Sequence, residues 1–216
     1  MVAYRAAAVR LGVRWEGFAV VRLLLLVSLA VALVACSESP KLAGTAFDPP
    51  QPAPDFTLTD QRGQSVQLSS YRGDAVALTF IYTNCTDVCP RIAEKLRRAY
   101  DALPPATQQK VQLLAVTVDP ARDDRQALQA FSAKHQLADN PHWHAMTGDQ
   151  SVLEQVWKGY YIYPGQMMGT DAATPGSTTV HTDAIVFIDP KGERRALLDS
   201  AADPNAIAAN LKALAG

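Results

Sequence analysis

Three stretches of the chain are almost uninterruptedly apolar and each has the length of a strand: residues 75–82 (AVALTFIY), 111–118 (VQLLAVTV) and 184–189 (AIVFID). Runs without alternation are what strands covered on both faces look like. Between the first two, Ile92, Leu96, Ala99, Tyr100 and Leu103 recur at helical spacing, with Asp87 as a candidate cap and Pro90 tolerable in the first turn. Pro104-Pro105 stops that helix. Asp123 or Asp124 is placed to cap a second helix through Ala127, Leu128 and Phe131, and residues 143–146 read as a short strand. Residues 150–158 predict a short helix with Val152, Val156 and Trp157 inward. Upstream, residues 55–59 and 66–68 flank a Gly-containing turn at 61–63 and predict a small hairpin. Downstream, Asp189-Pro190-Lys191-Gly192 has the residues of a type I turn, after which residues 195–198 return antiparallel. Asp203-Pro204 then starts a last helix with Ile207, Leu211 and Leu214 on its inner side.

Two strands joined by a helix predict a right-handed parallel unit. The later hairpin and helix add antiparallel strands on its other side. This order predicts an α/β, thioredoxin-like fold: a central mixed sheet flanked by helices, with an N-terminal hairpin. The loop after the first core strand is where such a fold carries its chemistry.

The first 35 residues differ in character. Residues 23–34 (LLLLVSLAVALV) form an apolar run preceded by arginines, too short for an ordinary spanning helix and matching the core of an export signal. The run ends in Leu33-Val34-Ala35-Cys36, which resembles a bacterial lipobox. That resemblance implies a lipid on Cys36, a membrane anchor and an exported domain facing the periplasm or the cell exterior. Residues 36–54, with five prolines, read as an extended tether, and 55–216 as the folded domain. The whole chain has 20 basic and 21 acidic residues; four of the former and one of the latter precede residue 36, so the remainder is mildly acidic. With no block of Lys or Arg, the composition argues against nucleic acid as a partner.

The chain has three cysteines, too few for a disulfide scaffold. Cys85 and Cys89 lie in Thr83-Asn84-Cys85-Thr86-Asp87-Val88-Cys89-Pro90, between the first core strand and its helix. Residues four apart across a helix start can meet, and a helix N-terminus favours thiolate. Two such thiols can form a disulfide or hold a soft metal.

Residues 80–90, ending in C-x-x-x-C-P, resemble the signature of the Sco/SenC family, and three further segments agree. Val118-Asp119-Pro120 with Arg122-Asp123 resembles its V-D-P-x-x-D stretch, and Trp143-His144 with Thr147-Gly148 its W-H-x-x-T-G stretch. Val180-His181-Thr182, leading into Phe187-Ile188-Asp189-Pro190, resembles its V-D-H stretch. The likeness spans roughly residues 53–214. It implies a copper ion, Cu(I) or Cu(II), held by Cys85, Cys89 and His181; Asp119, at a strand end near the thiols in such a fold, is a candidate to tune the site or a turn residue. It also implies a role as a copper chaperone for the dinuclear centre of cytochrome c oxidase. The partners would be the copper-acceptor subunit of that oxidase and another copper chaperone. Thr86 stands where the family commonly has Pro, and Val180 where it has Asp before the His. A thiol–disulfide oxidoreductase using the same two cysteines, as a redox pair acting on the acceptor's thiols, is the alternative; a peroxiredoxin-like peroxidase fits the spacing less well. His142 and His144 are weaker metal candidates, His135 is expected as a helix C-terminal charge partner, and Met167-Met168 as loop residues.

Overall fold

The two long apolar runs lie side by side. Strand β4 (Ala75–Ile81) pairs in parallel with β5 (Val111–Thr117), from Ala75 opposite Val111 to Ile81 opposite Thr117, and all seven residues of each are buried. Burial on both faces explains why neither alternates in sequence. The computed structural model describes residues 41–167, the last two as backbone only, and residues 183–216.

On one side of this centre β7 (Ile185–Ile188) runs antiparallel to β4, and β8 (Glu193–Leu198) returns antiparallel to β7. The intervening turn closes with the Gly192 N–H donating to the Asp189 carbonyl at 2.7 Å; Gly192 has φ +76°, a conformation glycine adopts without strain. On the other side β6 (Trp143–Thr147) pairs in parallel with β5. The hairpin β2 (Thr57–Asp60) and β3 (Ser65–Gln67) joins through β2. With an edge strand, β1 (Thr45–Pro52), beside β8, the described residues form an eight-stranded mixed sheet with helices on both faces.

Helices α1 (Val88–Asp101), α3 (Arg125–Lys134) and α6 (Pro204–Ala215) cover one face. There Ile92, Leu96, Leu128, Ile207 and Leu211 pack on Ala77, Ile81 and Leu113. The short α2 (Pro105–Gln108) links α1 to β5. Against the other face, α4 (Gln150–Gly159) places Leu153 and Trp157 on Leu78, Phe80, Leu114 and Val116; α5 (Pro164–Met167) follows it. Side chains of this kind stabilise the fold by about 1.5–3 kcal/mol each when fully buried. The inward set of α4 is Leu153, Val156 and Trp157 rather than Val152, which is only partly buried.

Of the two candidate caps for α3, Asp124 does the capping, accepting from the Ala127 N–H at 2.8 Å; Asp123 points elsewhere. Asp203 caps α6 as expected. Asp87 occupies the cap position of α1, but its side chain bonds Arg91 at 2.5 Å and leaves the helix N–H groups to another acceptor.

The stretch expected as a tether is partly sheet. Strand β1 (Thr45–Pro52) is extended, as its prolines predict, but it pairs antiparallel with β8 at the edge of the sheet, with a register break between Ala46 and Gln51. An edge strand tolerates proline because its outer N–H groups need no partner. The Arg194 guanidinium, over the rings of Phe47 and Tyr160 and donating to Gln51, ties this strand to the domain.

Candidate metal centre

Parallel pairing puts the carboxyl ends of β4 and β5 at the same edge, where α/β sheets gather their functional loops. The last ladder contact on this side is the Val118 N–H to the Ile81 carbonyl at 2.8 Å. Beyond it, residues 82–87 turn into α1. The Cys85 N–H donates to the Tyr82 carbonyl at 3.1 Å, which curls the loop and points the Cys85 sulfur at the start of the helix. There the Cys89 N–H donates to Cys85 Sγ at 3.3 Å. The sulfur thus takes the place that a capping oxygen holds in most helices.

Both cysteines are free thiols, Cys85 half-buried and Cys89 fully buried. With Tyr82, Thr86, Asp87, Val88 and Asp183 they line an open hollow of about 220 Å³. Their protonation differs for physical reasons. Partial burial opposes ionisation of Cys85, but the N–H groups of Cys89 and Asp87, the Cys89 thiol and the Tyr82 hydroxyl outweigh it and hold its pKa below the ordinary thiol value. Cys89 is pushed far up, first by burial, then by its bond to Cys85 and the nearby Asp123 carboxylate. Burial and the bond to Cys85 push Tyr82 up to about 12. The arrangement is one thiolate-forming sulfur facing solvent and one protonated sulfur behind it.

A second carboxylate underlies the loop. Asp123 is fully buried, and its oxygens accept from the Thr83 N–H at 3.1 and 3.2 Å, from the Thr83 hydroxyl at 2.5 Å and from the Thr117 hydroxyl at 2.5 Å. Asp119, the expected tuning residue, pairs with Arg122 at 2.5 Å, and its carbonyl accepts the N–H groups of Arg122 and Asp123. The sequence reading missed the roles of Tyr82, Thr83 and Asp123. Tyr82 reads as the end of an apolar run, and Asp123 is indistinguishable from its neighbour by propensity.

His181 and Cys36 lie outside the described residues, as do Met168 and the departure at Val180. Among the described residues no group of three His, Cys, Asp or Glu side chains converges as a metal site, so the thiol pair supplies two donors. Two sulfurs at a solvent-facing hollow nonetheless suit a soft ion such as Cu(I).

The other histidines are occupied or remote. His144 is buried, with Nδ1 3.1 Å from Asp60 and Nε2 3.0 Å from the Tyr71 hydroxyl, so both ring nitrogens are engaged. His142 packs on Tyr100. His135 does end α3, but burial and then Lys134 lower its pKa, so it stays neutral near pH 7 and is not a charge partner for the helix.

Residues 45–216 match the family model described as SCO1/SenC, and the chain belongs to that family. It is similar to apo Sco1 of Thermus thermophilus (TM-score 0.64, 25% identity, 82% of this chain and 99% of that one). It is also similar to Bradyrhizobium japonicum ScoI solved with copper bound (TM-score 0.57, 27% identity, 75% and 98%). The mitochondrial SCO2 homologue of Bos taurus is 33% identical over 144 residues, 64% of this chain and 50% of that protein. The matched segment takes in about half to two thirds of the length of the curated relatives compared. The mixed sheet flanked by helices is the fold of these Sco structures, which confirms the expected thioredoxin-like architecture.

Proposed function

We propose that the chain binds one copper ion through Cys85, Cys89 and His181 and assists assembly of the dinuclear copper centre of cytochrome c oxidase. The observation that carries this reading is the sulfur pair at the mouth of the hollow: Cys85 Sγ held on the Cys89 N–H, open to solvent and inclined to ionise. A relative solved with copper bound and a family described as one of cytochrome c oxidase assembly proteins support it. Thiolate suits Cu(I), and an added imidazole from His181 accommodates Cu(II) as well. Copper is cargo in this reading. Cys85, the outer and half-buried sulfur, is the one an acceptor's thiols reach first, and Cys89 stays behind it. Lipid on Cys36 would keep an exported domain at a membrane surface, where the oxidase subunit and a donor chaperone are met.

The asymmetry of the two thiols favours a second role through the same residues. A dithiol reductant needs one thiolate to attack and a second thiol beside it, held protonated until then, that loses its proton to resolve the mixed disulfide. Cys85 and Cys89 are disposed in that way, so reduction of the acceptor's cysteines can accompany delivery.

The His181→Ala variant separates the two roles. It is expected to retain most disulfide exchange but to lose stable Cu(II) binding and much of the support for oxidase assembly in limiting copper. Normal oxidase assembly by that variant would overturn His181 as a ligand and leave the reductase.

A further inference from the structure

The sheet ladder stops short of the thiols. Strand β4 ends at Ile81, whose carbonyl accepts the last described inter-strand bond, from Val118. Cys85 is four residues further on, and its backbone is fixed by a single described bond, to the Tyr82 carbonyl. A loop so lightly held would let the Cys85 sulfur leave the helix start. What spans the gap is Asp123. Three of its four described side-chain hydrogen bonds go to one residue, Thr83, through both the N–H and the hydroxyl. The fourth goes to Thr117 at the end of β5. The clamp begins where the ladder ends and grips the chain two residues before Cys85.

Burying a carboxylate is unfavourable unless its oxygens are satisfied, and here they are satisfied by the loop itself. The turn that delivers Asp123 is also built for it: the Asp119 carbonyl accepts the Asp123 N–H at 2.9 Å, and the Asp119 N–H is taken by the Thr117 hydroxyl at 2.9 Å. Asp119 therefore acts on the site through Asp123. Asp124, one residue along, does the ordinary work of capping α3, so the helix does not need Asp123.

We infer that Asp123 is a positioning residue of the thiol site, clamping Thr83 so that Cys85 Sγ stays on the helix start, facing Cys89. The inference rests on the reading of Cys85 and Cys89 as the copper and redox pair. It assigns the second acidic residue of the D-P-A-R-D segment a role in pre-organising two sulfurs rather than in touching the ion. Pre-organisation matters because two ligands held in place act at a high effective concentration towards each other and towards a shared ion.

The test uses the full chain, reduced, with two readouts. The first is Cu(I) affinity by competition with a chromogenic chelator. The second is the equilibrium with glutathione, in which Cys85 and Cys89 give up two electrons and two protons and one glutathione disulfide leaves as two glutathione thiols. Asp123→Ala is expected to weaken Cu(I) binding about tenfold or more and to disfavour the Cys85–Cys89 disulfide by about tenfold, about 30 mV for a two-electron couple. Asp123→Asn, which keeps the size and most of the hydrogen bonds, is expected to recover most of both. Thr83→Val, which removes one hydroxyl and leaves the N–H, is expected to fall between them, and it keeps the test decisive if Asp123→Ala does not fold. Leu128→Ala, a core change that removes none of the clamp's hydrogen bonds, is expected to lower the melting temperature with affinity and exchange within about twofold of the parent. Equal losses in Leu128→Ala and Asp123→Ala, or unchanged readouts in both Asp123→Ala and Thr83→Val, overturn the inference. A parent chain that binds no Cu(I) sinks the copper reading instead, and the glutathione equilibrium still tests the clamp.

Discussion

Two polar clusters sit on this sheet, and they use similar residue types to opposite ends. Around His144 every group is closed: Asp60 accepts from His144 and from the turn N–H groups of Arg62 and Gln64, Tyr71 meets the other ring nitrogen, and Arg62 donates to the Trp143 carbonyl. Around Cys85 the sulfur also accepts hydrogen bonds, but it faces a hollow with room for a ligand. A saturated cluster contributes to the fold. A site needs an atom whose bonding is incomplete and reachable. His144 is the weaker metal candidate in sequence as well, and the geometry supplies the physical reason, which lies in what each side chain has left to offer.

The sharpest way to break this comparison is through reactivity. Iodoacetamide is expected to modify Cys85 at least about a hundredfold faster than Cys89 near neutral pH, since rate follows thiolate content and access. The rate for Cys85 should rise with a midpoint below the ordinary thiol value of 9.0, because hydrogen bonds outweigh partial burial there. Peptide mapping after timed alkylation reads both. Comparable rates at the two cysteines would remove the distinction between an outer and an inner sulfur.

The second prediction concerns the closed cluster. Asp60→Ala leaves the His144, Arg62 and Gln64 donors without their acceptor and is expected to cost about 3 kcal/mol of stability by chemical denaturation. Copper binding by the folded fraction should be unchanged. A loss of binding would show that the His144 cluster belongs to the site.

The smallest effect is one of pH. Burial is the leading cause that lowers the pKa of His144, and it does the same for His142 and His135. The unfolded chain then takes up protons near pH 6.5 that the folded chain resists, so stability falls as pH drops through that value. Asp60 adds to this lower down. Although burial alone would raise its pKa, hydrogen bonds from Gln64, His144 and Arg62 hold it below 3.8, so its contribution is present above that value and is lost beneath it. Melting curves from pH 7.5 to 5 should show the decline, with a shallower slope in His144→Gln; an identical slope would mean that His144 does not carry it.

Much of this was legible in the sequence, and the misses have physical reasons. The strands β4, β5 and β7 stood out because residues covered on both faces cannot alternate. The hairpins and the cap Asp203 followed from turn and cap chemistry, which left the cap of α3 open between Asp123 and Asp124. Strand β1 was not legible, because prolines exclude a central strand but do not separate a free tether from an edge strand. The cap of α1 was missed because capping rules look for oxygen, and here a sulfur two residues before the cap position serves. Asp123 and Asp124 are the same residue side by side; only the position of Thr83 and Thr117 in space tells them apart. The thiol pair itself was plain from its spacing, whereas its asymmetry depends on how deep each sulfur lies.

The central claim is that Cys85 and Cys89 together form the copper-holding pair. Titrating the reduced full chain with Cu(I) under a competing chelator tests it directly. The account predicts one tightly bound ion per chain, and at least about a thousandfold weaker binding in both Cys85→Ser and Cys89→Ser, since losing either soft ligand leaves a single sulfur. One-to-one binding that survives either substitution unweakened would contradict it.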